Sequence, residues 1–81
     1  MRILILEDDP VIASDLQAIV EGEGHDVVGV FALLAEAQEH FGARLDAGFD
    51  FALLDIDVMD GKSFGLAADL LERHVPFAFV S

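Results

Sequence analysis

The 81-residue chain has no cysteine, no tryptophan and no tyrosine, and only four basic residues against sixteen acidic ones. Each shortage closes off a class of function. Without cysteine there is neither a disulfide framework nor a thiolate metal site, which suits a cytoplasmic protein. A formal charge of −12 argues against nucleic acid as a partner, because phosphates are bound by Lys and Arg. Basic proteins or metal ions are the expected partners. No apolar run approaches the roughly 20 residues of a membrane-spanning helix, so no membrane partner is expected. Nothing at the start has the form of a secretory leader, since Met1-Arg2 leads directly into a short strand.

What the chain does have is apolar bulk: 54% of its residues are hydrophobic, seven of them Phe. A single domain of this size buries only about 60–65% of the surface its unfolded chain exposes. The core is rich for so small a body, and part of it is expected to lack cover within a monomer.

Strand-like and helix-like periods alternate along the chain. Arg2–Leu6 is a short apolar run of the kind buried on both faces of a parallel sheet. Asp9-Pro10 reads as a helix start, with Asp as cap and Pro at the first helical position. Ile12, Leu16, Ile19 and Val20 follow at helical spacing, and Gly22 and Gly24 stop that helix. Val27–Phe31 is a second strand. Leu34, Ala37, Phe41 and Leu45 mark a second amphipathic helix, interrupted at Gly42 and ended near Gly48. Phe49–Leu54 is a third strand, residues 63 to about 74 a third helix, and Pro76–Val80 a fourth strand. The alternation predicts an α/β fold with a doubly wound parallel sheet. With right-handed crossovers and strand order 2-1-3-4, the first helix lies on one face and the other two on the opposite face.

Two acidic clusters stand just past strand ends: Glu7-Asp8-Asp9 after the first strand, and Asp55-Ile56-Asp57 after the third. Six of the sixteen acids (7, 8, 9, 55, 57 and 60) fall in these two loops. Gathered carboxylates repel one another unless a cation neutralises them. Open parallel sheets place ligand sites beyond the carboxyl ends of strands, at the point where strand order reverses. The first and third strands meet at that point. The combination predicts a site for a hard divalent ion, Mg2+, beside a carboxylate able to do chemistry.

The segments ILILEDDP, GEGHDVVGV, ALLDIDVMDGKSF and VPFAFVS, in this order and spacing, make the chain resemble the receiver domain of two-component response regulators, over its whole length. Its phosphoacceptor loop resembles the receiver subgroup that carries Gly where Pro is usual. The resemblance implies a flavodoxin-like fold and a cytoplasmic signalling phosphoprotein rather than an enzyme. It implies that Asp55 accepts a phosphoryl group from a phosphohistidine on a sensor histidine kinase or phosphotransfer protein. It also implies that Asp8, Asp55 and the backbone carbonyl of Asp57 bind Mg2+, that Glu7 contacts the ion through water, and that the Ser81 hydroxyl hydrogen-bonds the phosphoryl group. A complete receiver would continue past Ser81 with an α-β-α segment whose strand bears a lysine. On that expectation residues 1–81 form one truncated receiver, and transfer to Asp55 is weak.

Other residues have plainer readings. Asp9 is expected as a helix cap rather than a ligand, and Asp60 as the former of the Asp-Gly turn or cap of the third helix. His25, His40 and His74 lack a second ligand at metal spacing, and Lys62 reads as a surface residue. Phe49, Phe51, Phe77 and Phe79 alternate as strand core. Two rival functions are a phosphorylation-independent interaction module derived from a receiver, and a phosphohydrolase of the haloacid dehalogenase type, whose paired acids Asp55-Ile56-Asp57 resembles.

The sheet also predicts self-association. Four strands span roughly 19 Å and a helix covers about 10 Å. One helix alone therefore leaves side chains of the third and fourth strands bare. The fourth strand is an edge without charge between Pro76 and Ser81. A two-fold homodimer is expected, burying this face or pairing these edges, if necessary by exchanging elements.

Overall fold

The computed structural model describes residues 1–41 and 48–80. Elements run β1 (Arg2–Leu6), α1 (Pro10–Gly22), β2 (Asp26–Phe31), α2 (Leu34–Phe41), β3 (Phe51–Leu54), β4 (Asp57–Val58), β5 (Gly61–Lys62), α3 (Phe64–Glu72) and β6 (Phe77–Phe79). The main sheet is parallel with order β2-β1-β3-β6, which is the predicted 2-1-3-4 order. Leu45 and Gly42 of the expected second helix, and Ser81, lie outside the described residues. No described helix is long and apolar enough to cross a membrane.

Two packed clusters show which helix covers which face. Leu4 and Leu6 of β1 and Ala52 and Leu54 of β3 pack with Leu66, Ala67 and Leu70 of α3, with Leu34 of α2 against them. On the opposite face Ile3, Ile5, Phe51 and Leu53 pack with Leu16 and Val20 of α1. Period-two alternation along β1 and β3 thus sends odd and even residues to different helices.

The expected strand Phe49–Leu54 is shorter than its sequence pattern. Two odd-numbered phenylalanines in one regular strand would share a face, yet Phe49 joins the α3 cluster and Phe51 the α1 cluster. The break lies at Asp50, whose carboxylate accepts from the Arg2 amide at 2.8 Å and pairs with the Arg2 guanidinium at 3.4 Å. These donors hold Asp50 below the usual carboxylate range, the backbone hydrogen bond first among them. Phe79 is 40% exposed at the sheet edge and meets Phe64 edge-on, so it is surface rather than core.

Both long helices end in the same way. After α1, the amides of Gly24 and His25 bond to the carbonyls of Glu21 and Val20; after α3, those of His74 and Val75 bond to Leu71 and Leu70. This is the Schellman arrangement, which needs a left-handed residue. Gly24 takes it at φ 87° and His74 at φ 59°. A side chain at such a φ costs about 1 kcal/mol relative to Gly. We therefore expect His74→Gly to stabilise the chain by about 0.5–1 kcal/mol and Gly24→Ala to destabilise it by a similar amount, measured by urea unfolding.

Candidate functional site

Parallel register places the acidic clusters side by side. Leu6 pairs with Phe31 on one side and Leu54 on the other, and the ladder continues one step past the strands. The Glu7 amide donates to the Phe31 carbonyl at 2.9 Å, and the Asp55 amide to the Leu6 carbonyl at 2.8 Å. Glu7 and Asp55 are both buried, at 4% and 7% exposure, and Asp8 is half-buried beside them.

One carboxylate oxygen from each of Glu7, Asp8 and Asp55 lies within 4.8 Å of the other two. Ligands of an octahedral Mg2+ at about 2.1 Å stand roughly 3–4 Å apart, so a small contraction would let these oxygens share one hard cation. The acid–base balance agrees with that chemistry. Burial pushes the Glu7 carboxyl up, and the charges of Asp55 and Asp8 and a hydrogen bond with Asp55 add to the shift; the Asp9 amide, donating to Glu7 at 3.1 Å, opposes it. A cavity of about 290 Å³ opens next to the cluster, walled by Glu7 and Asp8, by Ser14 and Gln17 of α1, and by Val30 of β2.

Asp9 caps α1: its carboxylate accepts from the amides of Val11 at 2.9 Å and Ile12 at 3.3 Å, with Pro10 at the first helical position. The Asp57 carboxylate is exposed and pairs with Lys62 across the two-residue β4–β5 ladder. Gly61 closes that hairpin at φ 142°, a conformation open to glycine.

Asp60 differs from expectation in part. It sits in the Asp-Gly turn between β4 and β5 as expected, but it does not cap α3; it accepts from the amides of Leu34 at 2.8 Å and Ala35 at 3.0 Å, and so caps α2 from 26 residues away. Those two donors, Ala35 before Leu34, lower its pKa. Ser63 was equally hidden. It stands at the N-cap position of α3 but makes no side-chain cap. Instead its hydroxyl donates to the Asp55 carbonyl at 2.6 Å. A Ser before an apolar helix reads as a cap, and nothing in its spacing signals a bond back to Asp55.

No protein-family model matches the chain. Among curated proteins, the phyllosphere-induced regulator PhyR of Methylorubrum extorquens is 45% identical over 83 aligned positions, covering 99% of this chain and 30% of that protein. Among solved structures, the non-phosphorylated HemR receiver domain of Leptospira biflexa superposes with a TM-score of 0.81 at 29% identity, covering 96% of this chain and 61% of the other. The chain belongs to the receiver-domain family. A third likeness adds a partner on the relative's side: the anti-anti-sigma factor PhyR of Bartonella quintana, solved in complex with the anti-sigma factor NepR, has a TM-score of 0.82 at 30% identity, covering 99% of this receiver and 32% of that chain. This receiver thus spans about a third of the PhyR proteins it matches, and relatives of its kind are signalling regulators.

Proposed function

We propose that this receiver accepts a phosphoryl group on Asp55 from a phosphohistidine of a sensor histidine kinase or phosphotransfer protein. Asp8, Asp55 and the Asp57 carbonyl would hold Mg2+, with Glu7 reaching it through water. When bound, Mg2+ would offset the repulsion between the acceptor carboxylate and the phosphoryl oxygens. An Asp55 oxygen forms the new P–O bond as the P–N bond breaks, and the departing imidazole keeps the bonding electron pair. The observation that carries this reading is the juxtaposition of three carboxylates at the carboxyl ends of β1 and β3. Burial of Asp55 limits water at the acyl phosphate, and the cavity beside Glu7 and Asp8 leaves an approach for the donor. By the receiver resemblance, Ser81, which lies outside the described residues, is assigned the hydrogen bond to the phosphoryl group.

The likeness to PhyR proteins extends the proposal to output in the cytoplasm: phosphorylation of Asp55 controls association with an anti-sigma factor. A separate observation, exposed apolar surface, supports self-association. Ile12 and Ile19 are 45% and 63% exposed and form a stripe with Leu16 on α1. The stripe lies opposite Ser14 and Gln17, which line the cavity with Val30 of β2, on the side of α1 whose Leu16 packs in one cluster with Phe51 and Leu53. β3 neighbours β6, the sheet edge, and we assign this side of the sheet to a two-fold homodimer.

Beryllofluoride, a phosphoryl mimic, separates a phosphoacceptor from a phosphorylation-independent interaction module. With Mg2+ present, fluorine NMR should show a bound signal that disappears in Asp55→Asn. A chain that associates with its partners but takes up no beryllofluoride would fit the interaction module instead.

A further inference from the structure

We infer that Ser63 is a positioning residue for Asp55, fixing the direction of its carboxylate through its main chain; the inference rests on the phosphoacceptor reading of that site. Asp55 leaves the sheet after Leu54, where the ladder no longer orders the chain. Its amide is still held by the Leu6 carbonyl of β1 at 2.8 Å. Its carbonyl accepts from the Ser63 hydroxyl at 2.6 Å. The peptide groups on both sides of the Asp55 Cα are therefore pinned, one to the sheet and one to the start of α3. With both fixed, the Cα–Cβ direction is fixed as well. Ser63 also donates its own amide to the Ile56 carbonyl at 2.8 Å, so one residue holds two successive carbonyls of the loop ahead of Asp57.

Two observations separate this from ordinary packing. Ser63 is wholly buried, at 0% exposure. A buried hydroxyl is tolerated only where it is hydrogen-bonded, and the bond it makes is to Asp55. Moreover, Ser63 stands at a helix N-cap, where a serine usually bonds the helix's own free amides, and it makes no such bond. Its hydroxyl serves the acidic loop in place of the helix. Groups that orient a metal ligand at second hand typically contribute 10- to 100-fold to metal affinity.

The test is Mg2+ titration by calorimetry of the 81-residue chain, of Ser63→Ala, of Ser63→Cys (a near-isostere with a weak donor) and of Val20→Ala. Val20 is a buried residue of α1 in the other cluster and supplies a destabilised control. We expect Ser63→Ala to weaken Mg2+ binding about tenfold, Ser63→Cys by less, and Val20→Ala not at all, whatever their melting temperatures. If Ser63→Ala does not fold, Ser63→Cys against Val20→Ala decides. Unchanged affinity in the Ser63 variants, or an equal loss in Val20→Ala, overturns the positioning role and leaves the phosphoacceptor reading standing. A parent chain that binds no Mg2+ overturns that reading and this inference together.

Discussion

Without metal, Asp55→Asn should be more stable than the parent chain by about 1–3 kcal/mol. Unit charges ~4–5 Å apart repel by roughly 3–4 kcal/mol at an effective dielectric constant of ~20, and part of this is lost to weaker hydrogen bonding by the amide. For a domain of this size, the change raises Tm by roughly 4–8 °C per kcal/mol. Mg2+ should reverse the order. At about 1,000 times its Kd it adds about 4.1 kcal/mol to the parent chain, and the variant lacks a ligand. The pH dependence follows from Glu7, whose folded pKa lies above its ordinary value of 4.5. Between the unfolded and folded values, the folded chain binds more protons, so metal-free stability falls as pH rises above about 4.5. Glu7→Gln should flatten that slope. Asp50 and Asp60 act in the opposite sense: both are lowered from 3.8, so their contribution is present above that pH and lost as pH falls through the folded values. Thermal melts across pH, with and without Mg2+, check all three. A metal-free chain destabilised by both Asp8→Asn and Asp55→Asn would contradict the clustered-carboxylate account.

The second large effect concerns self-association. Sedimentation at micromolar concentration should show a dimer, and Ile19→Asp should shift it to monomer, raising the dimer Kd at least about tenfold (1.4 kcal/mol). Ile19 is mostly exposed, so the substitution leaves the fold intact. Phe79→Lys, at the edge strand, tests whether β6 edges pair. A well-folded monomer at that concentration, or a dimer indifferent to both substitutions, would remove this face from the account.

The parts legible from sequence are those written in local periods. Apolar runs at strand length, Asp9-Pro10 at a helix start, and acids just past the first and third strands were enough for sheet order and for the meeting of Glu7, Asp8 and Asp55. What was illegible depends on distant hydrogen bonds. Asp60 reaches α2 across 26 residues, where the sequence pointed only to its own Asp-Gly turn or to the third helix. The β4–β5 hairpin has strands of two residues, too short to carry a period. The Arg2–Asp50 contact turns Phe49 to the other face, and Ser63 looks like any helix cap until its hydroxyl is seen on Asp55. Local pattern specifies which faces are buried; it does not specify which polar side chain closes which loop.

The most direct test of the central claim is intact-mass measurement after incubation with Mg2+ and acetyl phosphate. The chain should gain the mass of one phosphoryl group, slowly, because its only lysine is Lys62, which is paired with Asp57. Omission of Mg2+ or the substitution Asp55→Asn should abolish the gain. Modification that persists in Asp55→Asn, or a parent chain that never gains mass, would contradict the assignment of Asp55 as the phosphoacceptor.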